Sequence, residues 1–237
     1  MTVLHLADEG EAADLAAFLS RLLHYDRSAA VRLQAAGTAL AVFGRPPSFE
    51  VLAVRTVRLA KPYEHGLDAT LDVTVSAGEL LESVDERAAT ARVPGAVTGP
   101  PWAGVLPPRG GWRAEPGLPA PDALRALVAA AVAEFRARTE ELAAEDRTRA
   151  ALDGIGRDIW SRTVGDTGLP VRAVHAAQSL GFLRPRGASG SEAGTGSGSG
   201  EDAPRLFSSG AWLRLRTPFG SVALRRAGTG ALGLSVR

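Results

Sequence analysis

The sequence predicts an α+β fold in which an N-terminal helix and an antiparallel sheet are followed by a helical region closed by a C-terminal β-hairpin. Three observations support this prediction. Apolar residues recur at helical spacing over residues 11–24, whereas residues 67–75 alternate between apolar and polar side chains. Helical spacing returns after position 119, and two short strand-like stretches come last, at 205–216 and 219–226.

The first 90 residues are predicted to form one α+β subdomain. Its helix spans 11–24, and five strands are predicted around it, at 3–6, 29–35, 38–44, 49–60 and 67–75. Ser76 and Glu79 form a capping-box pattern, so a short helix is expected to follow as far as Val84.

A crossing segment is predicted at 91–118. Within residues 94–119, 13 of 26 positions are Gly or Pro, which excludes a regular helix or a central strand. The segment also carries Trp102 and Trp112, whose indoles are expected to pack onto the domains at either side. The alternative is a proline-rich ligand for an aromatic groove, formed by residues 100–102 and 107–109.

Residues 119–186 are predicted to be helical. A long helix begins at Pro119 or Pro121 and runs to Arg147, and two further helices are predicted at 149–164 and 169–180. Gly181 is the expected C-cap of the last one. Residues 187–204 contain six Gly and four Ser and are predicted to form a disordered loop, after which 205–237 supply a hairpin and tail.

Composition limits the function classes. The 237 residues include no cysteine, which excludes disulfides and thiolate chemistry. No apolar run reaches the roughly 18 residues of a membrane span, and the N-terminus lacks signal-peptide features, so a cytoplasmic protein without membrane contacts is expected. Residues 1–156 carry a net charge of −5, whereas 157–237 carry +6, which favours an anionic partner for the second part.

Two resemblances follow from these patterns. Residues 1–86 resemble one repeat of a sliding DNA clamp in the order of their elements alone. Residues 100–226 combine the run 107–112 (PPRGGW), Trp160, the run 179–183 (SLGFL) and a hairpin with Trp212 and Gly220. This combination resembles a group of uncharacterised intracellular proteins of high-GC Gram-positive bacteria, and the resemblance implies no activity.

The strongest candidate site is a nucleic-acid interface of winged-helix type. Helix, turn, helix, loop and hairpin follow one another from 149 to 226, as in that motif. Candidate contacts on the helix 170–180 are Arg172, His175 and Gln178, and those on the hairpin are Trp212, Arg214, Arg216 and Arg225. The alternative is a helical subdomain capped by a half-exposed hairpin whose arginines are merely solvated.

Other motifs give no catalytic site. Glu64, His65 and Asp68 share a polar turn, for which a solvated turn is favoured over the alternative of a metal site. Residues 228–233 match G-x-G-x-x-G without room for the strand and helix of a dinucleotide site. We therefore expect a non-enzymatic binding or regulatory protein that contacts protein or nucleic acid and needs no cofactor. The alternatives are a small-molecule or enzymatic site at the subdomain boundary near Trp102 and Trp112, and a purely structural protein.

Overall fold

A computed structural model describes residues 2–60, 71–185 and 203–226. Within these residues five α-helices surround an eight-stranded and a three-stranded sheet. The helices are α1 (Glu9–Tyr25), α2 (Ala77–Glu82), α3 (Pro121–Glu140), α4 (Arg149–Ser161) and α5 (Val171–Ser179). The strands are β1 (Val3–His5), β2 (Ala30–Ala36), β3 (Ala39–Gly44), β4 (Leu52–Arg58), β5 (Asp72–Ser76), β6 (Val84–Asp85), β7 (Thr90–Arg92), β8 (Arg113–Glu115), β9 (Arg205–Ser209), β10 (Trp212–Thr217) and β11 (Gly220–Arg225).

The large sheet joins the two ends of the chain. Its strand order is β5-β2-β3-β4-β11-β10-β9-β8, with every neighbouring pair antiparallel. The join is between β4 and β11, where Leu52 lies opposite Ala223. The α+β class is thus confirmed, but the C-terminal strands extend the N-terminal sheet instead of closing the helical region separately.

The two faces of this sheet bury different clusters. The inner face packs against α1 and α5, and its buried residues belong to the main core: Val31, Leu33, Leu40, Val42, Val57, Leu213, Leu215, Val222 and Leu224. The outer face carries a smaller cluster of Leu52, Val54 and Trp102. The crossing segment therefore covers part of the face that the helices leave open.

Capping hydrogen bonds explain why some helices begin or end at residues other than those predicted from the sequence. The Asp8 carboxylate accepts from the Glu11 backbone N–H at 2.8 Å, so α1 begins at Glu9. The long helix ends at Glu140 rather than at Arg147, because the Arg147 guanidinium donates to the carbonyls of Glu140 and Leu142. At Gly181 the C-cap prediction is confirmed, with φ of +77° and the Phe182 N–H bonded to the Ala177 carbonyl at 2.7 Å.

The predicted strand 205–216 is two strands. Gly210 has φ of +54°, a value that favours a tight turn, and it separates β9 from β10. The two strands then pair antiparallel, with Arg205 opposite Arg216. The C-terminal element is therefore a three-stranded meander, which brings Arg205 and Phe207 onto the same face as the arginines of β10.

A charged clasp, defined here as Arg55, Glu11, Asp14 and Arg184, links α1 to the C-terminal half. Arg55 is only 6% exposed, and its guanidinium lies 3.1 Å from the Glu11 carboxylate and 3.0 Å from that of Asp14. It also donates to the Phe219 carbonyl at 2.7 Å. Arg184 reaches Asp14 at 2.5 Å, so this one cluster connects sequence segments more than half the chain apart.

The Arg32–Asp72 pair at the β5 edge predicts an acid-sensitive contact. Arg32 donates to both carboxylate oxygens of Asp72, at 2.7 and 2.8 Å, and these bonds are the main reason why the pKa of Asp72 lies below its ordinary value. A lowered carboxyl pKa stabilises the fold at neutral pH, and this contribution is lost as the pH falls through that pKa. We expect Asp72→Asn to lower the melting temperature at neutral pH.

The deficit of this variant should then shrink toward zero in acid, because the wild-type carboxyl becomes neutral as well. Melting curves of both proteins over a series of acidic buffers measure the deficit. A deficit that stays constant with pH would contradict the assigned role of the ion pair.

Candidate nucleic-acid interface

The register of the large sheet assigns each hairpin residue to a face. Leu52, which packs with Trp102 on the outer face, lies opposite Ala223, and Ala223 lies opposite Arg214. Directly opposed residues point to the same face of a sheet, so Arg214 shares the face of Trp102. Alternation then places Trp212 and Arg216 beside it.

We call this surface the arginine–aromatic face. It comprises Arg205, Phe207, Trp212, Arg214, Arg216 and Arg225. None of its members is acidic, and no carboxylate of the described residues forms an ion pair with its arginines. Arg205 and Arg216 face each other across the strands, and both are exposed. Because opposed like charges destabilise a sheet, these two arginines repel each other across the strands.

Arg214 forms the centre of the face. It is half-buried, its Nε donates to the Ser221 hydroxyl at 3.0 Å, and its guanidinium lies 5.9 Å from the ring centroid of Trp112. Burial, and then the neighbouring charge of Arg216, lower the pKa of Arg214 from its ordinary value. The guanidinium remains charged at neutral pH, so a half-buried positive charge lies at the centre of the face.

The two aromatic side chains of the face are partly exposed to solvent. Trp212 and Phe207 are both half-exposed, and the guanidinium of Arg225 lies 5.1 Å from the Trp212 ring centroid. A cation at this distance holds the indole while leaving part of its surface in solvent. The face therefore offers both positive charge and π-surfaces.

The three predicted contacts on α5 lie away from this face. Five residues of α5 are buried in the core on the inner side of the sheet: Val171, Ala173, Val174, Ala176 and Ala177. His175 stacks on Trp160 at 4.6 Å and meets Phe49 edge-on at 5.1 Å, while the Arg172 Nε lies 3.7 Å from the Glu50 carboxylate. Gln178 adjoins α3.

The structure thus separates the seven predicted residues into two groups, and the winged-helix interpretation has no support. A recognition helix must project one face to the major groove beside its wing. Here the strands belong to a continuous sheet, and α5 lies on the sheet side opposite to Trp212, Arg214, Arg216 and Arg225. Sequence reasoning also missed Arg205 and Phe207. A turn predicted at Gly210 would have separated β9 from β10 and placed both residues on this face.

The crossing segment has the packing that was predicted for its indoles. Trp102 is 6% exposed and contacts the cluster of Leu52 and Val54, whereas Trp112 donates from Nε1 to the Pro108 carbonyl at 3.0 Å and lies near Arg214. Trp102 therefore packs against β4 at the subdomain boundary.

The remaining sequence candidates are not tested by the structure. Glu64, His65 and Asp68, the glycine motif 228–233 and most of the loop 187–204 lie outside the described residues. Among the residues that are described, no group of three or more His, Asp or Glu side chains is arranged to hold a metal ion. No helix in the described ranges has the length and apolarity needed to cross a membrane.

Comparison with known families divides the chain within the crossing segment. Residues 1–104 match a family model described as Domain of unknown function (DUF8010), and residues 107–229 match a second one, Domain of unknown function (DUF8185). No curated protein matches the chain. Strands β1–β7 lie in the first matched region and β8–β11 in the second, so both regions contribute to the large sheet.

Proposed function

The chain belongs to the family of the Domain of unknown function (DUF8185), and from the outer face of that domain's strands we propose that the protein binds single-stranded nucleic acid without catalysing a reaction. The observation that carries this proposal is the arginine–aromatic face, which combines four arginines and two aromatic rings and has no carboxylate among its members.

The phosphate groups of a nucleic acid would supply the negative charge that this face lacks. Three arginines of the face are exposed and have no ion-pair partner among the described residues: Arg205, Arg216 and Arg225. The neighbouring Arg226, in contrast, lies 3.1 Å from the Glu115 carboxylate. A guanidinium matches a phosphate by paired hydrogen bonds. Binding of a polyanion would relieve the repulsion between Arg205 and Arg216 and release counterions.

The aromatic rings favour a single strand over a duplex. Bases of a single strand can stack on Trp212 or Phe207, which is worth about 1–3 kcal/mol per base. Paired bases in a duplex are not available for this stacking. The helix that would be needed to enter a major groove, α5, is packed in the core.

The test is a titration of a fluorescently labelled oligothymidylate with the full chain at a series of salt concentrations. We expect binding at low salt that weakens steeply as salt rises. The double variant Arg216→Glu/Arg225→Glu should bind at least tenfold more weakly and reduce the slope of log affinity against log salt by about 1.4, because two phosphate contacts are lost.

The matched control is Arg87→Glu/Arg157→Glu, which makes the same change in net charge at exposed positions outside the face. It should retain most of the affinity. Trp212→Leu should lower the affinity for oligothymidylate while leaving the salt slope unchanged, because stacking is not ionic. No binding at low salt, or an equal loss in both double variants, would overturn the proposal.

A further inference from the structure

The arginines of the arginine–aromatic face are unevenly distributed. Arg205 of β9 lies directly opposite Arg216 of β10, which places their Cβ atoms about 5 Å apart. Arg214 lies two residues from Arg216 on the same face, about 6–7 Å along the strand. Arg225 is at the other end, opposite Trp212, and about 13 Å of strand separates Trp212 from Arg216. One end of the face therefore has an opposed pair of arginines, whereas the other end has a single arginine.

The opposed pair, Arg205 and Arg216, suits a phosphate group with two negative charges. Both side chains are exposed and are long enough to converge on one anion. A guanidinium binds a phosphate best through two parallel hydrogen bonds. A phosphodiester has one negative charge and two non-bridging oxygens, which match a single guanidinium. A terminal phosphate has three such oxygens and a charge of about −1.5 to −2 at neutral pH, which match two guanidiniums.

The other two arginines continue from this pair on an oblique line across the sheet. From Arg205 on β9, the line passes to Arg214 on β10 and to Arg225 on β11, with a shift of two residues at each strand. The Nε of Arg214 donates to the Ser221 hydroxyl at 3.0 Å, and the guanidinium of Arg225 lies 5.1 Å from the Trp212 ring centroid. Each of these single arginines matches one phosphodiester.

The two aromatic rings lie on one side of this line. Phe207 is opposite Arg214 and two residues from Arg205, and Trp212 is opposite Arg225. A strand whose phosphates follow the arginines has its bases on this side. The base next to the opposed pair would stack on Phe207, and a later one would stack on Trp212.

We propose that the ligand is a single strand with a terminal phosphate, which Arg205 and Arg216 hold together, while Arg214 and Arg225 contact the phosphodiesters that follow it. This inference rests on the proposed function and specifies its ligand, a phosphorylated strand end instead of an internal segment. The pattern of charge carries it, with two opposed arginines for the terminal phosphate and one arginine for each phosphodiester.

Competition against the labelled oligothymidylate, with the full chain at low salt, tests the inference with four unlabelled strands. Three have the same length and carry a 5′-phosphate, a 3′-phosphate or hydroxyls at both ends. The fourth has hydroxyl ends and two more nucleotides, so that its charge matches that of the phosphorylated strands. We expect one phosphorylated strand to bind about tenfold more tightly than either hydroxyl strand, because the second guanidinium gains a charged hydrogen bond. Which phosphate gives this preference shows the direction of the strand on the face.

Arg205→Gln separates recognition of the terminal phosphate from general affinity. It should remove most of the preference for the phosphorylated strand, because one of the two opposed guanidiniums is lost. It should also melt at the same or a higher temperature than the wild type, since an opposed like charge is removed. The matched control Arg225→Gln makes the same change in charge at the other end of the face. It should weaken the binding of all four strands and keep the preference.

The outcomes distinguish this inference from the function on which it rests. If both phosphorylated strands bind no more tightly than the longer hydroxyl strand, the terminal phosphate has no site and the inference is wrong, although single-stranded nucleic acid is still bound. A preference that persists in Arg205→Gln would equally overturn the inference. If none of the four strands binds, the proposed function fails together with it.

Discussion

Arg55→Ala is expected to lower the free energy of unfolding by about 3 kcal/mol, the cost of leaving a buried ion pair without one partner. Arg55 is almost fully buried on the inner face of the sheet between the carboxylates of Glu11 and Asp14. Its removal also leaves the Phe219 carbonyl without the donor that binds it. Urea denaturation followed by circular dichroism measures the loss.

The matched control is Arg58→Ala, on the same strand. Arg58 also binds Glu11, at 2.8 Å, but its side chain is 69% exposed, and exposed ion pairs contribute only about 0–1 kcal/mol. The two variants therefore remove the same kind of contact at different burial. Equal losses of stability would show that the clasp is not an energetically important link between α1 and the C-terminal half.

Phe182→Ala is expected to lower the free energy of unfolding by about 3–5 kcal/mol, the range for a buried phenylalanine. Phe182 is 2% exposed and follows the C-cap of α5. Its ring stacks on Phe18 of α1 at a centroid distance of 5.6 Å. It also lies so close to Gly220 that a Cβ at that position would approach it to 2.5 Å. The ring thus fills the space where α1, α5 and β11 meet.

Phe182→Leu is the control for this second variant. Leucine fills most of the same volume, so its loss of stability should be clearly smaller than that of alanine. Thermal and urea unfolding of the three proteins give the order wild type, Leu, Ala. If the alanine variant were as stable as the leucine variant, the packing between the two halves of the chain would contribute little.

Local patterns predicted much of the fold. The positions of α5 expected on one apolar face, Ala173, Ala176 and Ala177, are all fully buried, and so are Leu213 and Leu215 of β10. Helical spacing and strict alternation depend only on neighbouring residues, and these are properties that a single sequence contains. The N-cap predicted at Ser76 also forms, with the Ser76 hydroxyl accepting from the Glu79 N–H at 3.4 Å.

The long-range arrangement was not predictable in the same way. No local signal connects Leu52 with Ala223, and strand β8 has only three residues within a Pro- and Gly-rich segment. For this reason the winged-helix arrangement predicted for these residues has no support in the structure. Arg214 and Arg216 share a face because of strand alternation, whereas the side of the sheet on which Arg172 and His175 lie depends on how α5 packs.

The pairing of β4 with β11 has a consequence for the synthesis of the chain. When β4 leaves the ribosome, its eventual neighbour has not yet been made, and one edge of the strand has open N–H and C=O groups. Leu52 and Val54 lie on this strand, and an apolar open edge templates pairing with other molecules. We therefore expect the region matched by the first family to have a higher tendency to aggregate until the second region has been translated.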